Sequence, residues 1–246
     1  MADEITVVHV YPDLLGTYGD RGNVLALARR ASGRGLRYRV IEVGLEDRLP
    51  RTADLYVIGG GEDSAQLLAA RALLADDLSA AVLGAHTCFV VCAGLQLLSR
   101  GFEDGHGRRH QGLGLLDVEC GRLEERAVGE IVTEPVDLPG VPTLTGYENH
   151  RGTAQLSGSA RPLGRLVAGV GNGDARSEGV RQGHILATYL HGPALVRNPA
   201  LADLLLTLAA GPLPAYDDPD VERLRDERLD VADPRRHRAR RVLLGH

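Results

Sequence analysis

The 246-residue chain predicts an α/β fold: a doubly wound, mostly parallel sheet with a β meander beside it. Three observations carry that expectation. Apolar runs rich in β-branched residues alternate with helix-like stretches in the order β-α-β-β-α-β-α from Ile5 to beyond Cys92. Glycines or a cysteine stand where two of those runs end, at Gly59-Gly60-Gly61 and at Cys92. From about Leu113 to Leu190 the pattern changes to short β segments broken by glycine and proline turns.

Each element follows from local pattern. Ile5 to Val10 (ITVVHV) reads as a buried strand. The loop YPDLLGTYGDRGN follows, and Asp20 is placed as the N-cap of a helix through NVLALARRA that ends near Ser32 and Gly33. Leu36 to Val43 reads as a second strand and Leu55 to Ile58 as a third, leading into the triple glycine. An alanine- and leucine-rich helix is expected over Ser64 to Leu83. The stretch FVVCAGLQLL then predicts a strand ending at Cys92 and a helix from Ala93. EIVTEPVDL, TLTGYEN and GRLVAGVGN read as the meander, and ILATYLH as a strand ending on His191. A helix through ALADLLLTLAA stops at Gly211-Pro212. Residues 1–212 are thus expected to form the domain. Residues 213–246 form a charged tail with eight acidic and eight arginine residues, a short helix in PDVERLRDERL and a basic run, RRHRARR.

Composition narrows the function. Hydrophobic residues make up 43% of the chain, enough for a sizeable core. A net charge of −5 and a pI near 6.0 give no general basis for binding nucleic acid or acidic membranes. No apolar run reaches the roughly 18 residues of a membrane helix, and MADEITVVHV does not resemble a secretion signal, so a cytoplasmic protein is expected. Three cysteines point to a reducing compartment rather than a disulfide framework. His86, Cys88 and Cys92 lack a second ligand pair, so no metal site is expected. All 28 basic residues are arginine. Without lysine there is no Schiff base, pyridoxal phosphate anchor or P-loop lysine. Such a chain can hydrolyse or transfer an acyl group, but has no recognisable means of activating a substrate with ATP.

In a parallel sheet, ligands bind at the carboxyl ends of the strands, which pairs the glycine run with Cys92. A thiol in an apolar run is ordinarily an inert core residue. Here small residues follow it and a helix begins at once, the layout of a nucleophile elbow. Acyl transfer further needs a base and an oxyanion hole. His191 in YLHGP mirrors Cys92 at another strand end, and backbone N–H groups of the glycine run are candidate oxyanion donors.

The motif Cys-x-Gly-x-Gln at Cys92, Gly94 and Gln96, with GGGEDSAQ at Gly59 to Gln66, resembles the class I, triad-type glutamine amidotransferases. YPDLLGTYGDRGN, VCAGLQLL, TGYENHRG and YLHGP narrow the likeness to the cobyric-acid-synthase-like branch, and within it to glutaminase subunits of lipid II isoglutaminyl synthases. The motifs run in order from Tyr11 to Pro193, about three quarters of the chain. The resemblance implies a flavodoxin-like fold in which Cys92 attacks the amide of L-glutamine and His191 shuttles the proton. It also implies oxyanion donors at Gly60 and Ala93, an α-carboxylate clasp at Arg126, and Gln96 and Gly59 at the substrate pocket. For Arg126 the alternative is a surface ion pair with Glu124 or Glu125. The implied partner is a Mur-ligase-like subunit (MurT) in a heterodimer. ATP and Mg would lie on that partner and no cofactor on this chain. The implied acceptor is the D-glutamate of the lipid II stem peptide, reached through the partner at the inner membrane face.

Two departures qualify the likeness. Val90 stands where the class often has glycine, and Pro193 where it places a glutamate two residues after the histidine. The group that orients the imidazole must come from elsewhere in this chain or from the partner. A corrinoid carboxylate as acceptor, a non-catalytic scaffold, and a cysteine peptidase or stress-response protein of the same layout are the other readings.

Overall fold

A computed structural model of the chain describes residues 4–75 and 78–236. β1 (Ile5–Val10) leads to α1 (Arg21–Ser32), β2 (Tyr38–Val43) and β3 (Leu55–Ile58). α2 (Asp63–Ala75) and α3 (Leu78–Gly84) precede β4 (Thr87–Val91), which runs into α4 (Ala93–Leu98). The short β5 (Gly101–Glu103), β6 (Arg109–Gln111) and β7 (Val118–Glu119) come next, then the long pair β8 (Arg122–Pro135) and β9 (Leu144–Gly152). β10 (Gln155–Leu156), β11 (Gly164–Ala168), β12 (Ser177–Glu178), β13 (Val180–Gln182) and β14 (Ile185–Thr188) follow. α5 (Ala194–Arg197), α6 (Pro199–Ala210) and α7 (Pro219–Ala232) end the described chain.

The central sheet has the order β13-β14-β4-β3-β1-β2. Its strands pair in parallel except for β13, which lies antiparallel at one edge. Every residue of β3, β4 and β14 is buried, which is why those segments are continuously apolar rather than alternating. The order reverses between β1 and β3, the place where a doubly wound sheet opens a crevice at its carboxyl edge. The loop after β1, Gly59 to Gly61, Cys92 and the segment carrying His191 all leave the sheet at that edge.

The three meander segments fall on β8, β9 and β11, in a second sheet of order β12-β11-β8-β9. A third small sheet, β10-β7-β5-β6, was not anticipated, because its strands are only two or three residues long. The helix expected over Ser64 to Leu83 falls on α2 and α3, with residues 76–77 outside those described. One expectation needs correcting. The strand expected to end on His191 ends at Thr188. There Glu178 accepts hydrogen bonds from the Thr188 hydroxyl and the Tyr189 N–H, both 2.7 Å long, and turns the chain out of the sheet.

In the tail, α7 begins on Pro219, buries Arg225 and Leu229, and packs against α5, β8 and β9. Of the basic run only Arg235 and Arg236 are described; Arg235 pairs with Glu134 at 2.6 Å and Arg236 with Asp230 at 2.9 Å. Residues 237–246 lie outside those described. No helix among the described residues is long and apolar enough to cross a membrane.

Candidate active site

Cys92 joins β4 to α4 with φ 51° and ψ −105°, a conformation a side-chain-bearing residue adopts only under constraint. The constraint is visible on both sides. The Cys92 N–H donates to the Thr188 carbonyl at 2.8 Å, which ties the turn to β14. At Gly94 a Cβ would lie 3.0 Å from the Ile58 carbonyl oxygen and 3.2 Å from that of Gly59, so only glycine lets α4 pack this tightly on the end of β3. The result is a strand-to-helix elbow that presents the sulfur at the sheet edge.

His191 is placed by backbone pairing. It bridges Tyr147 of β9, its N–H donating to the Tyr147 carbonyl at 2.8 Å and its carbonyl accepting from the Tyr147 N–H at 3.0 Å. The ring is 2% exposed and neither ring nitrogen has a hydrogen-bond partner. Its Nδ1 faces Asp20 Oδ1 at 3.6 Å, an ion-pair contact rather than a hydrogen bond. Burial opposes the charged imidazole, but the Asp20 carboxylate and the Cys92 sulfur outweigh it and push the pKa up to about 10.

Gly60 is the meeting point of these groups. A Cβ there would lie 3.0 Å from His191 Cε1, 3.2 Å from Cys92 Cβ and 3.3 Å from Asp20 Oδ2. Gly59 is pressed against the loop after β1, where a Cβ would fall 1.9 Å from the Leu15 carbonyl oxygen. It shapes the site but does not line the pocket. The expectation that Gly60 offers a free oxyanion donor is not met in this conformation. Its N–H donates to Asp20 Oδ2 at 2.7 Å. The N–H of Ala93, in the first turn of α4, has no acceptor within that helix. Asp20 likewise departs from the N-cap role. It precedes α1, but its side chain makes no capping bond and is directed to Gly60 and His191 instead.

Beside the elbow lies a cavity of about 270 Å³ whose walls include Cys92, Ala93, Gln96, Arg126, Tyr18 and Glu62. Gln96 is buried at its base, its Oε1 accepting from Gln66 Nε2 at 2.7 Å. Arg126 arrives through a bulge. Between Arg122 opposite Gly152 and Ala127 opposite His150, the β8 register slips. Arg151 donates to the Leu123 and Glu124 carbonyls and staples that excursion. Arg126 Nε donates to Asn149 at 2.6 Å, and its Nη2 donates to the Tyr18 hydroxyl at 2.7 Å. Its carboxylate neighbour is Glu62 at 3.9 Å, not Glu124 or Glu125.

A strained thiol, a buried histidine with its carboxylate and a pocket with an arginine in its wall are equipped to cleave an acyl bond through a covalent intermediate. The family model of the CobB/CobQ-like glutamine amidotransferase domain matches residues 6–199. The chain belongs to this amidotransferase family. Among curated relatives, subunit GatD of the glutamine-hydrolysing lipid II isoglutaminyl synthase from Streptococcus pneumoniae is 33% identical over 245 residues, spanning 93% of this chain and 92% of that protein. The GatD subunit from Staphylococcus aureus is 34% identical over 210 residues, 84% of each chain. A cobyric acid synthase from Methylobacterium nodulans is 34% identical over 58% of this chain but only 30% of its own length. A crystal structure of a glutamine amidotransferase superposes over 82% of this chain and 98% of its own, with a TM-score of 0.56 at 23% identity, which shows the shared fold.

Within this amidotransferase, the TGYENHRG segment acquires definite positions. Tyr147 pairs with His191, Asn149 holds Arg126, and His150 lines the cavity while stacked on Tyr189 at 4.0 Å. Glu148 accepts the N–H groups of Val170 and Gly171 at 2.8 and 3.0 Å. The sequence places Tyr147, Glu148, Asn149 and His150 near the site without a role for each, and it missed Asp20, Tyr18 and Glu62 as individual site residues. These three lie inside quoted motifs, but nothing local marks which members of YGDRGN or GGGED would converge. The Tyr18 ring stands 4.9 Å from that of His191 and lines the cavity with Cys92.

Proposed function

We propose that this chain is the glutaminase subunit of a two-subunit synthase, hydrolysing L-glutamine to glutamate and ammonia. The observation that carries the reading is the forced conformation of Cys92 beside His191 on the wall of an arginine-bearing pocket. Arg126 clasps the α-carboxylate, and the buried Gln96 amide shapes the pocket floor. The Cys92 thiolate attacks the side-chain amide carbon, and the Ala93 N–H stabilises the oxyanion, joined by Gly60 N–H if Asp20 yields it. His191, holding its proton, passes it to the departing nitrogen, so that ammonia leaves and a thioester remains. The now neutral imidazole takes a proton from water as it attacks. Collapse releases glutamate and returns Cys92 and His191 to their starting states. Asp20 is the carboxylate that orients the imidazole in place of the glutamate replaced by Pro193.

The lysine-free sequence, which has no P-loop lysine, supports a partner as the site of ATP-dependent activation of the acceptor. A Mur-ligase-like subunit carrying ATP and Mg fits that need, with the D-glutamate of the lipid II stem peptide as acceptor; the names of the GatD relatives, subunits of a lipid II isoglutaminyl synthase, support a two-component enzyme acting on lipid II. A corrinoid acceptor is the weaker reading, since the cobyric acid synthase relative is matched over under a third of its length. The chemistry is assigned to residues 1–212, with the charged tail outside it. The test is glutamate release from L-glutamine by the chain alone and with a co-expressed Mur-ligase-like partner, beside Cys92→Ser. Release that disappears in Cys92→Ser is expected. Absence of any Cys92-dependent release would reject the reading.

A further inference from the structure

We propose that Glu62 receives the α-ammonium group of the substrate, so that Glu62 and Arg126 together read the two opposite charges on its α-carbon. This rests on the glutaminase reading and adds a specificity residue to it.

Glu62 and Arg126 line the same cavity as Cys92, with Glu62 Oε1 3.9 Å from Arg126 Nη2. The Tyr18 hydroxyl bridges them, donating to Glu62 and accepting from Arg126. A fixed cation and a fixed anion held side by side, yet not in direct hydrogen-bond contact, match a zwitterionic amino acid. Its carboxylate meets the guanidinium and its ammonium meets the carboxylate. The other acids of the cavity fit less well. Asp104 already accepts bonds from the His106 and Arg108 backbone, the Arg108 side chain and His110. Asp63 is packed against Gly105, where its Oδ2 would lie 2.0 Å from a Cβ. Glu103 lines the cavity but is bonded to neither Arg126 nor Tyr18 among the described residues.

Glu62 also has a plainer reading, as a brace for Arg126. Glutaramate, which is glutamine without its α-amino group, separates the two. It keeps the side-chain amide and the carboxylate that Arg126 would hold. The experiment measures kcat/KM for L-glutamine and for glutaramate in the wild-type complex, Glu62→Gln and Glu103→Gln. The expected result is a roughly tenfold or greater fall for L-glutamine in Glu62→Gln, through KM, with glutaramate unchanged or improved, whereas Glu103→Gln affects the two substrates alike. An equal loss on both amides would mean that Glu62 only braces Arg126, and a gain on both would mean that it competes with the substrate carboxylate. Either result overturns the assignment while leaving the glutaminase reading intact. A wild-type complex without Cys92-dependent hydrolysis would overturn both.

Discussion

Asp20 touches two parts of the proposed catalytic machinery at once, His191 and Gly60. Its Oδ1 lies 3.6 Å from His191 Nδ1, and its Oδ2 accepts the Gly60 N–H at 2.7 Å. The carboxylate is fully buried, so both contacts are shielded from solvent. It therefore links the orientation of the imidazole to the position of the Gly59-Gly60-Gly61 loop. Asp20→Asn keeps the shape but removes the charge. Glutamine turnover should fall on the order of 10²- to 10⁴-fold in kcat, with a much smaller change in KM. Steady-state glutamate release checks this. Turnover within a few-fold of wild type would show that the orienting carboxylate is supplied by the partner.

The same contact predicts a pH profile. Burial works against the His191 charge, but Asp20 and Cys92 raise its pKa from 6.5 to about 10. Because the folded value exceeds the unfolded one, this group's contribution to stability is fully present below about 6.5 and is lost as pH rises toward 10. Proton donation to the departing ammonia should likewise hold through neutral pH and decline on the alkaline side. In Asp20→Asn the alkaline limb of kcat should move to lower pH. An alkaline limb in the same place for both proteins would remove Asp20 as a cause.

A methyl group at Gly60 would press on His191, Cys92 and Asp20 together, at 3.0, 3.2 and 3.3 Å. Gly60→Ala should cost about 1–3 kcal/mol of stability by overpacking. The effect on turnover should be larger, about 10²-fold, because displacement of the imidazole by a fraction of an ångström spoils the reacting geometry. Calorimetric melting and kcat measured on the same preparation separate the two effects. Near-normal turnover with a lowered melting temperature would show that the three groups do not converge on Gly60 in solution.

Much of the frame was legible because parallel strands buried on both faces are written as unbroken apolar runs, as in LYVI and TCFVV. Cys92 and His191 could be paired because each follows such a run. What stayed hidden depends on contacts between distant segments. Asp20 reads as a helix cap because aspartate before a helix usually is one; its partners Gly60 and His191 are 40 and 171 residues away. Arg126 points into the pocket because of the register slip in β8, and no turn residue in RLEERAV announces a bulge. The Tyr18 to Glu62 bond spans 44 residues and joins two loops whose approach only the sheet order determines.

The three thiols provide the last test, since all are free and differ chiefly in surroundings. Cys88 faces the core from β4 with no exposure, and burial pushes its pKa well above the ordinary thiol value. Cys120 is 1% exposed and burial pushes its pKa up to about 12. Only Cys92 borders the cavity. Alkylation requires both a path for the reagent and a thiolate, and the two core residues lack both. Brief treatment of the native protein with iodoacetamide should therefore give a single adduct, on Cys92, by peptide mass mapping. L-Glutamate should slow its formation by filling the cavity, and Arg126→Gln should weaken that protection without opening the other two thiols. Labelling of Cys88 or Cys120 at a comparable rate would mean that the sheet edge opens in solution, and the nucleophile would then have no privileged position there.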